Sequence, residues 1–241
     1  MRLVKWEKLP ENMQTDEIKP YYQALRRKRV ALFFKRAFDI IFSALLLLIL
    51  SPVFLLLAIA IKIDSKGPVF FRQTRVTQYG KTFRIFKFRT MVNNADKIGS
   101  QVTVKADNRI TRVGKLIRKC RLDEICQLID VLRGTMTFVG TRPEVPKYVD
   151  RYTNEMWATL LLPAGITSMA SICYKDEDAL LENAENVDDT YMEKVLPQKM
   201  EYNLSEIKKF GFWRDIKLMF MTVFAVLGKD YNKKTEEGEQ E

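Results

Sequence analysis

From Ile40 to Ile61 the chain runs 22 residues without a charged side chain, and Ser51-Pro52 interrupts the run near its middle. As a straight helix that stretch would be about 33 Å long, close to the roughly 30 Å hydrocarbon core of a bilayer. It is expected to sit in a membrane. Proline removes a backbone donor and crowds the preceding turn, so the helix should bend near Ser51. The serine hydroxyl can satisfy a carbonyl that the proline leaves free, which lipid cannot do. Arg26, Arg27, Lys28, Arg29, Lys35 and Arg36 precede the run; Lys62, Lys66, Arg72, Arg75, Lys81 and Arg84 follow it. Positive charge favours the cytoplasmic side. A re-entrant hairpin keeps both flanks there and is the preferred reading; a kinked single span is the alternative. The run starts too far along the chain, and is too long, for a secretory signal.

The rest is polar. A chain of 241 residues with net charge +10 and mean hydropathy of only -0.17 is a basic protein with one apolar insert, not a polytopic transporter. Its charge suits anionic partners: lipid headgroups, phosphorylated substrates or nucleic acid. Histidine is absent, which excludes imidazole bases and histidine metal sites. Any metal is expected to be a hard ion held by carboxylates, such as Mg²⁺. Cys120, Cys126 and Cys173 form no CxxC pair; small buried thiols in a reducing compartment are expected.

Four segments are expected: residues 1–34, an N-terminal arm and interfacial helix; 35–66, the membrane helix broken at Ser51-Pro52; 67–228, a cytoplasmic domain; and 229–241, a charged flexible tail. Residues 1–19 read as a loosely held arm. Pro20 to Phe38 mixes Arg and Lys with Leu25, Val30, Leu32, Phe33 and Phe34, as an interfacial helix would; a plain positive flank reads the same. Val69–Phe71 and Thr82–Arg89 read as strands about a turn at Tyr79-Gly80. A loop with short helical pieces covers 90–108. Apolar residues at helical intervals run from Arg112 to Leu132, with a break near Leu122-Asp123 and a cap at Gly134. Residues 137–149 read as a loop and short helix, and Pro163 to Tyr174 as a turn and strand. Residues 175–189 read as acidic and exposed, Tyr191–Lys209 and Phe212–Leu227 as closing helices. The last is apolar but too short to span. The fold class expected is α+β, mostly helical with a small sheet, anchored through the kinked helix and amphipathic interfacial helices.

Asp123-Glu124 follows the basic segment Arg118-Lys119-Cys120-Arg121 and precedes a helical run. Helix capping explains such a pair on its own. The same geometry can hold Mg²⁺ and a phosphate together, and without histidine an aspartate nucleophile suits phosphoryl chemistry. Lys87, Arg89, Arg118, Arg121 and Arg142 are candidate phosphate binders, each also readable as a solvated charge. Arg142 stands out in its rigid turn between Thr141 and Pro143.

Strings of residues in order then carry a resemblance: Lys35-Arg36-Ala37-Phe38-Asp39; Ser51-Pro52; Gly67-Pro68-Val69-Phe70-Phe71-Arg72-Gln73; Phe86-Lys87-Phe88-Arg89-Thr90-Met91; Arg121 to Leu128; Phe138 to Glu144; Gly165-Ile166-Thr167; Asp215-Ile216-Lys217. Together, over about Lys35 to Lys229, the chain resembles the bacterial monotopic phosphoglycosyl transferases, the polyprenyl-phosphate sugar-phosphate transferases. The resemblance implies transfer of a sugar phosphate from a UDP-sugar to polyprenyl (undecaprenyl) phosphate with release of UMP, the first membrane step of glycan assembly. It implies a catalytic dyad of Asp123 and Glu124, with Asp123 as nucleophile, Mg²⁺ held by the pair, and a ping-pong course through an aspartyl-phosphosugar. Glu144 joins the candidate phosphate and nucleotide residues, and Asp215 is a candidate metal or bracing residue, or a helix-start charge. The expected partners are UDP-sugar, polyprenyl phosphate and membrane lipid, with no nucleic acid; a homodimer is an allowed assembly. The expected place is the inner membrane, catalytic domain on the cytoplasmic face. Three departures from the family pattern bear on sugar specificity: Thr141 where many members have proline, Ser168-Met169 where many have Gly-Trp or Gly-Leu, and Thr77 where glycine is common. A rival reading, a basic membrane-tethered binding module, explains the charge and the apolar run but not the dyad in its basic setting. A third keeps the fold and loses the activity.

Overall fold

The computed structural model describes residues 1, 3–93, 95, 107–175, 186–228 and 231. Most of the expected 90–108 loop, the acidic stretch 175–189 and the tail from 229 lies outside them. Helix α1 (Lys19–Arg27) turns at Lys28 into α2 (Arg29–Ile49), and α3 (Ser51–Asp64) follows. The hairpin β1 (Phe70–Val76) and β2 (Thr82–Phe88) comes next, then α4 (Arg112–Lys119), a 3-10 segment Leu122–Gln127 and α5 (Leu128–Arg133). After β3 (Met136–Val139) come α6 (Pro146–Val149), β4 (Ala164–Thr167) and α7 (Met169–Cys173). Helices α8 (Val187–Thr190), α9 (Leu196–Lys208) and α10 (Phe212–Val226) close the described chain. The architecture is α+β, mostly helical, with two small sheets among the described residues: β1 antiparallel to β2, and β3 parallel to β4.

The apolar run bends by 60° between α2 and α3. The cause is local. Pro52 has no N–H for the Leu48 carbonyl, and the Ser51 hydroxyl donates to that oxygen at 2.8 Å. No single described helix is long and apolar enough to cross a membrane, but this bent pair passes on length and composition together. Its outer side is bare: Ile41, Leu48, Ile49, Leu55, Leu56 and Ile63 are all at least 60 % exposed.

Both ends of the pair return to one body. At the start of α2, Lys35 Nζ pairs with Asp215 Oδ2 at 2.5 Å and donates to the Val139 carbonyl at 2.8 Å. Arg36 donates to the carbonyls of Val131 and Leu132 at the end of α5. Asp39 accepts from the Thr137 hydroxyl at 2.8 Å and from the Phe138 N–H at 3.3 Å. At the far end, Asp64 caps α4 through the Val113 N–H at 3.0 Å, and Arg89 donates to the carbonyls of Ser65 and Lys66.

The expected arm is packed instead of loose. Leu9, Met13 and Ile18 are buried with Tyr21, Tyr22 and Leu25 of α1 against Leu160, Leu161, Ile207 and Phe210. The expected interfacial helix is two helices, and α1 turns its apolar face into the protein. Sequence polarity hid this because the anchors are few and widely spaced. The break in the helical run comes at Arg121, which sits in the left-handed region at φ 55°. Asp123 therefore lies inside the 3-10 turn and does not cap a helix. Gly134 does end α5 as expected, at φ 86°; a Cβ there would also crowd Arg36 at 3.0 Å. Residues 136–139 form a strand where a loop was expected. Gly165 lets β4 meet β3, since a Cβ on it would fall 2.2 Å from the Gly140 backbone. The hydrogen bonds Gly140 N–H to Thr167 O and Gly165 N–H to Thr141 O continue that pairing.

Candidate active site

The β1–β2 hairpin forms one wall of a cleft of about 500 Å³, and Arg118 and Asp123 close another side. Among the described residues lining it are seven cations, Arg72, Arg75, Arg84, Lys87, Arg89, Arg109 and Arg118, and one carboxylate, Asp123. That imbalance makes it a place for anions, and phosphate oxygens are the obvious fit.

The dyad is asymmetric. Glu124 is clamped: Oε1 accepts from Lys87 at 3.1 Å and from Arg142, and Oε2 accepts from Arg142 at 3.1 Å. Its flanking cations outweigh burial and hold its carboxyl well below the usual range. Asp123 has no ion-pair partner among the described residues. Burial, and then the neighbouring Glu124 charge, push its carboxyl up, against the pull of Lys87 and Arg118. Burial lowers the Lys87 ammonium, and Glu124 opposes that. The pair is therefore one fixed anion buttressing a freer, more basic one that faces the cleft. Cys126 lies just behind, fully buried, with its thiol pushed up to about 12 by burial and by Asp123. It is no nucleophile at neutral pH.

The other candidates divide. Lys87 and Arg118 reach the cleft, and Arg142 reaches the dyad. Arg89 lines the cleft, but two of its guanidinium nitrogens serve the end of α3. Arg121 is exposed and donates to the Lys175 carbonyl at 2.9 Å, away from the cleft lining. Glu144 is not a cleft residue: it is buried, accepts from the Tyr191 hydroxyl at 2.6 Å, and lies 3.9 Å from Lys199. Asp215 belongs to the stem of α2 with Lys35, not to the dyad. Ser51 and Pro52 shape the bend. Sequence reading missed Arg72, Arg75, Arg84 and Arg109 as cleft residues. Arg75 grips Gln73 Oε1 at 2.7 Å and the Pro143 carbonyl at 3.1 Å, steadying the turn that aims Arg142. The strand runs on to Val76, past the expected Val69–Phe71, and the two-residue spacing of Gln73 and Arg75 on one face was a signal that could have found it.

The donor set fits a magnesium ion in one way. Magnesium is commonly held by one or two carboxylates plus substrate phosphates and waters. Asp123 has oxygen to offer beside a phosphate-binding cleft; Glu124 would first have to release Lys87 or Arg142. Among the described residues, no three acidic or cysteine side chains cluster as a ready-made cage.

A sequence model described as bacterial sugar transferase matches residues 30–229. The chain belongs to that family. Among relatives, a UDP-N-acetylgalactosamine-undecaprenyl-phosphate N-acetylgalactosaminephosphotransferase of Aeromonas hydrophila is 37 % identical over 199 residues, covering 81 % of this chain and 44 % of the relative. A UDP-glucose:undecaprenyl-phosphate glucose-1-phosphate transferase of Escherichia coli K12 is 38 % identical over 195 residues, 79 % of this chain and 39 % of the relative. The Caulobacter vibrioides transferase of the same description is 35 % identical, with 81 % and 70 % covered. The chain thus spans under half the length of the first two. Every dyad and cleft residue described above falls within the span that the bacterial sugar transferase family matches.

Proposed function

We propose that this chain transfers a sugar phosphate from a UDP-sugar to undecaprenyl or another polyprenyl phosphate, releasing UMP. The relatives' names support the substrate classes, and one observation carries the chemistry: Glu124 is neutralised by Arg142 and Lys87 while Asp123, on the cationic cleft, has no ion-pair partner among the described residues. An Asp123 carboxylate oxygen attacks the β-phosphorus of the UDP-sugar. The bond from that phosphorus to UMP breaks, and UMP leaves with the electron pair. Arg118, Lys87 and the cleft arginines stabilise the charge that develops on the phosphoryl oxygens. A phosphate oxygen of the polyprenyl phosphate then attacks the same phosphorus and expels the Asp123 carboxylate. Two displacements through a covalent aspartyl-phosphosugar make the kinetics ping-pong. Mg²⁺, held at Asp123 and the substrate phosphates, would supply further charge neutralisation.

The reading includes a re-entrant anchor. Both ends of the bent pair are tied to the same body, both flanks are basic, and the outer side of α2 and α3 is apolar. On this reading the cleft lies at the cytoplasmic surface, where a soluble nucleotide sugar and a lipid phosphate can both reach it. The test is UMP release from a panel of UDP-sugars with polyprenyl phosphate and Mg²⁺. Mass analysis after the UDP-sugar alone is expected to find a phosphosugar on residue 123; turnover without such an adduct would overturn the two-step course.

A further inference from the structure

At the corner between α1 and α2, Gln23, Arg26, Arg27 and Arg29 line one shallow open depression. All four are exposed. The three arginines have no carboxylate partner among the described residues. A solvated charge run is the ordinary explanation for such a cluster, but a run on a loose arm would not hold a shape. This one does. The opposite face of α1 is fixed by Tyr21, Tyr22 and Leu25 in a buried cluster, and Lys28, at the corner itself, donates to the Phe210 carbonyl. Arg26 and Arg27 are therefore presented by a docked helix in a fixed direction, and Arg29 opens α2 at the same corner.

The surface next to them on α2 is apolar and bare. Val30 is 71 % exposed, Phe33 65 % and Phe34 54 %, and this face of α2 continues into Ile40, Ile41, Leu45 and Leu48. Guanidiniums at the rim of an aromatic and aliphatic surface are the arrangement of a headgroup-level contact. The corner up to Arg29 also lies outside the matched family span, which begins at residue 30.

We propose that Arg26, Arg27 and Arg29 form a binding corner for the phosphates of anionic phospholipid headgroups, with Val30, Phe33 and Phe34 as its apolar edge. It fixes how the α1–α2 corner lies on the bilayer and makes binding depend on lipid charge. This rests on the membrane reading above. Charge complementarity and continuity with the bare face of α2 select lipid as the occupant.

The test uses the full chain, diluted from detergent into vesicles of phosphatidylcholine alone or with about a third phosphatidylglycerol, and reads the partition coefficient. The wild type is expected to prefer the anionic vesicles by tenfold or more, and to lose the preference in high salt. R26Q/R27Q/R29Q should cut the preference about tenfold, while K8Q/K194Q/K209Q, which removes the same charge from other exposed positions, should leave it within about twofold. Equal behaviour of the two triple variants would overturn the corner and leave only net charge. So would a duplex oligonucleotide that binds the wild type and not R26Q/R27Q/R29Q, if lipid charge has no effect. Phosphatidylcholine alone keeps the two readings apart: failure of every protein to partition there sinks the membrane anchor, whereas unequal headgroup preference is scored on the anionic arm.

Discussion

At the stem of α2, Lys35 closes an ion pair with Asp215 and spends a further hydrogen bond on the Val139 carbonyl, all of it buried. In the cleft, Lys87 and Arg142 satisfy Glu124, and the adjacent Asp123 is left without an ion-pair partner among the described residues. Both regions gather carboxylates and cations. The stem is closed on itself, so its charges can only hold elements together. The cleft is short of one partner, so it has affinity left for something that arrives. Satisfaction, not residue type, separates a brace from a site.

Substitutions can break this contrast. The largest effect is expected in the cleft: Asp123→Asn should lower UMP release by roughly three orders of magnitude or more while the protein still folds. Normal turnover by that variant would remove the nucleophile assignment. The next is at the stem. Lys35→Met strands Asp215, and breaking a buried pair costs about 3–5 kcal/mol. Thermal unfolding in detergent should show the loss. Burial already pushes the Asp215 carboxyl up, so the variant's deficit should shrink on acidification as Asp215 takes a proton.

The cleft should behave in the opposite sense. The Asp123 carboxyl is raised in the fold, so its contribution to stability is fully present below the ordinary carboxylate value and is lost as pH rises through the folded value. Asp123→Asn is therefore expected to melt above the wild type at neutral pH, with the gap closing in acid; a lower melting point at neutral pH would contradict the contrast. A smaller effect sharpens it. Glu124→Gln removes the charge that helps raise Asp123 and frees Arg142 and Lys87, so the acidic limb of the pH profile for residual UMP release should move to lower pH. A limb that stays or moves up would mean that Glu124 does not act on Asp123 through its charge. The smallest change is expected from Arg142→Lys, which keeps the charge and loses the two-pronged grip on Glu124: about tenfold in kcat/KM.

What could be read from the chain came from its local physics. Proline chemistry at Ser51-Pro52, the alternation of Thr82 to Phe88 and the glycine after α5 each act over a few residues, and each is where it was expected. The α+β, mainly helical class was legible for the same reason. The features that were missed depend on distant neighbours. The residues of β3 are all buried, so they show no alternation to read. The N-terminal segment packs through isolated anchors. Asp215 finds Lys35 from 180 positions away, and no spacing rule reports such a pairing. In the site, the dyad stood out because basic and acidic residues crowd together in sequence and Arg142 because of its rigid turn before Pro143, whereas Glu144 lay in a motif and turned out to be buried in a network with Tyr191 and Lys199.

One turn of α2 carries Lys35, Arg36 and Asp39, and with these it grasps β3, the tail of α5 and the base of α10. Helix α5 continues directly from the 3-10 turn that carries Asp123. The bent pair and the cleft are thus joined both by buried side-chain bonds and by one continuous stretch of backbone. On the function proposed above, Asp123 then stands at a set altitude over the bend at Leu50, and an acceptor phosphate has to come to that depth.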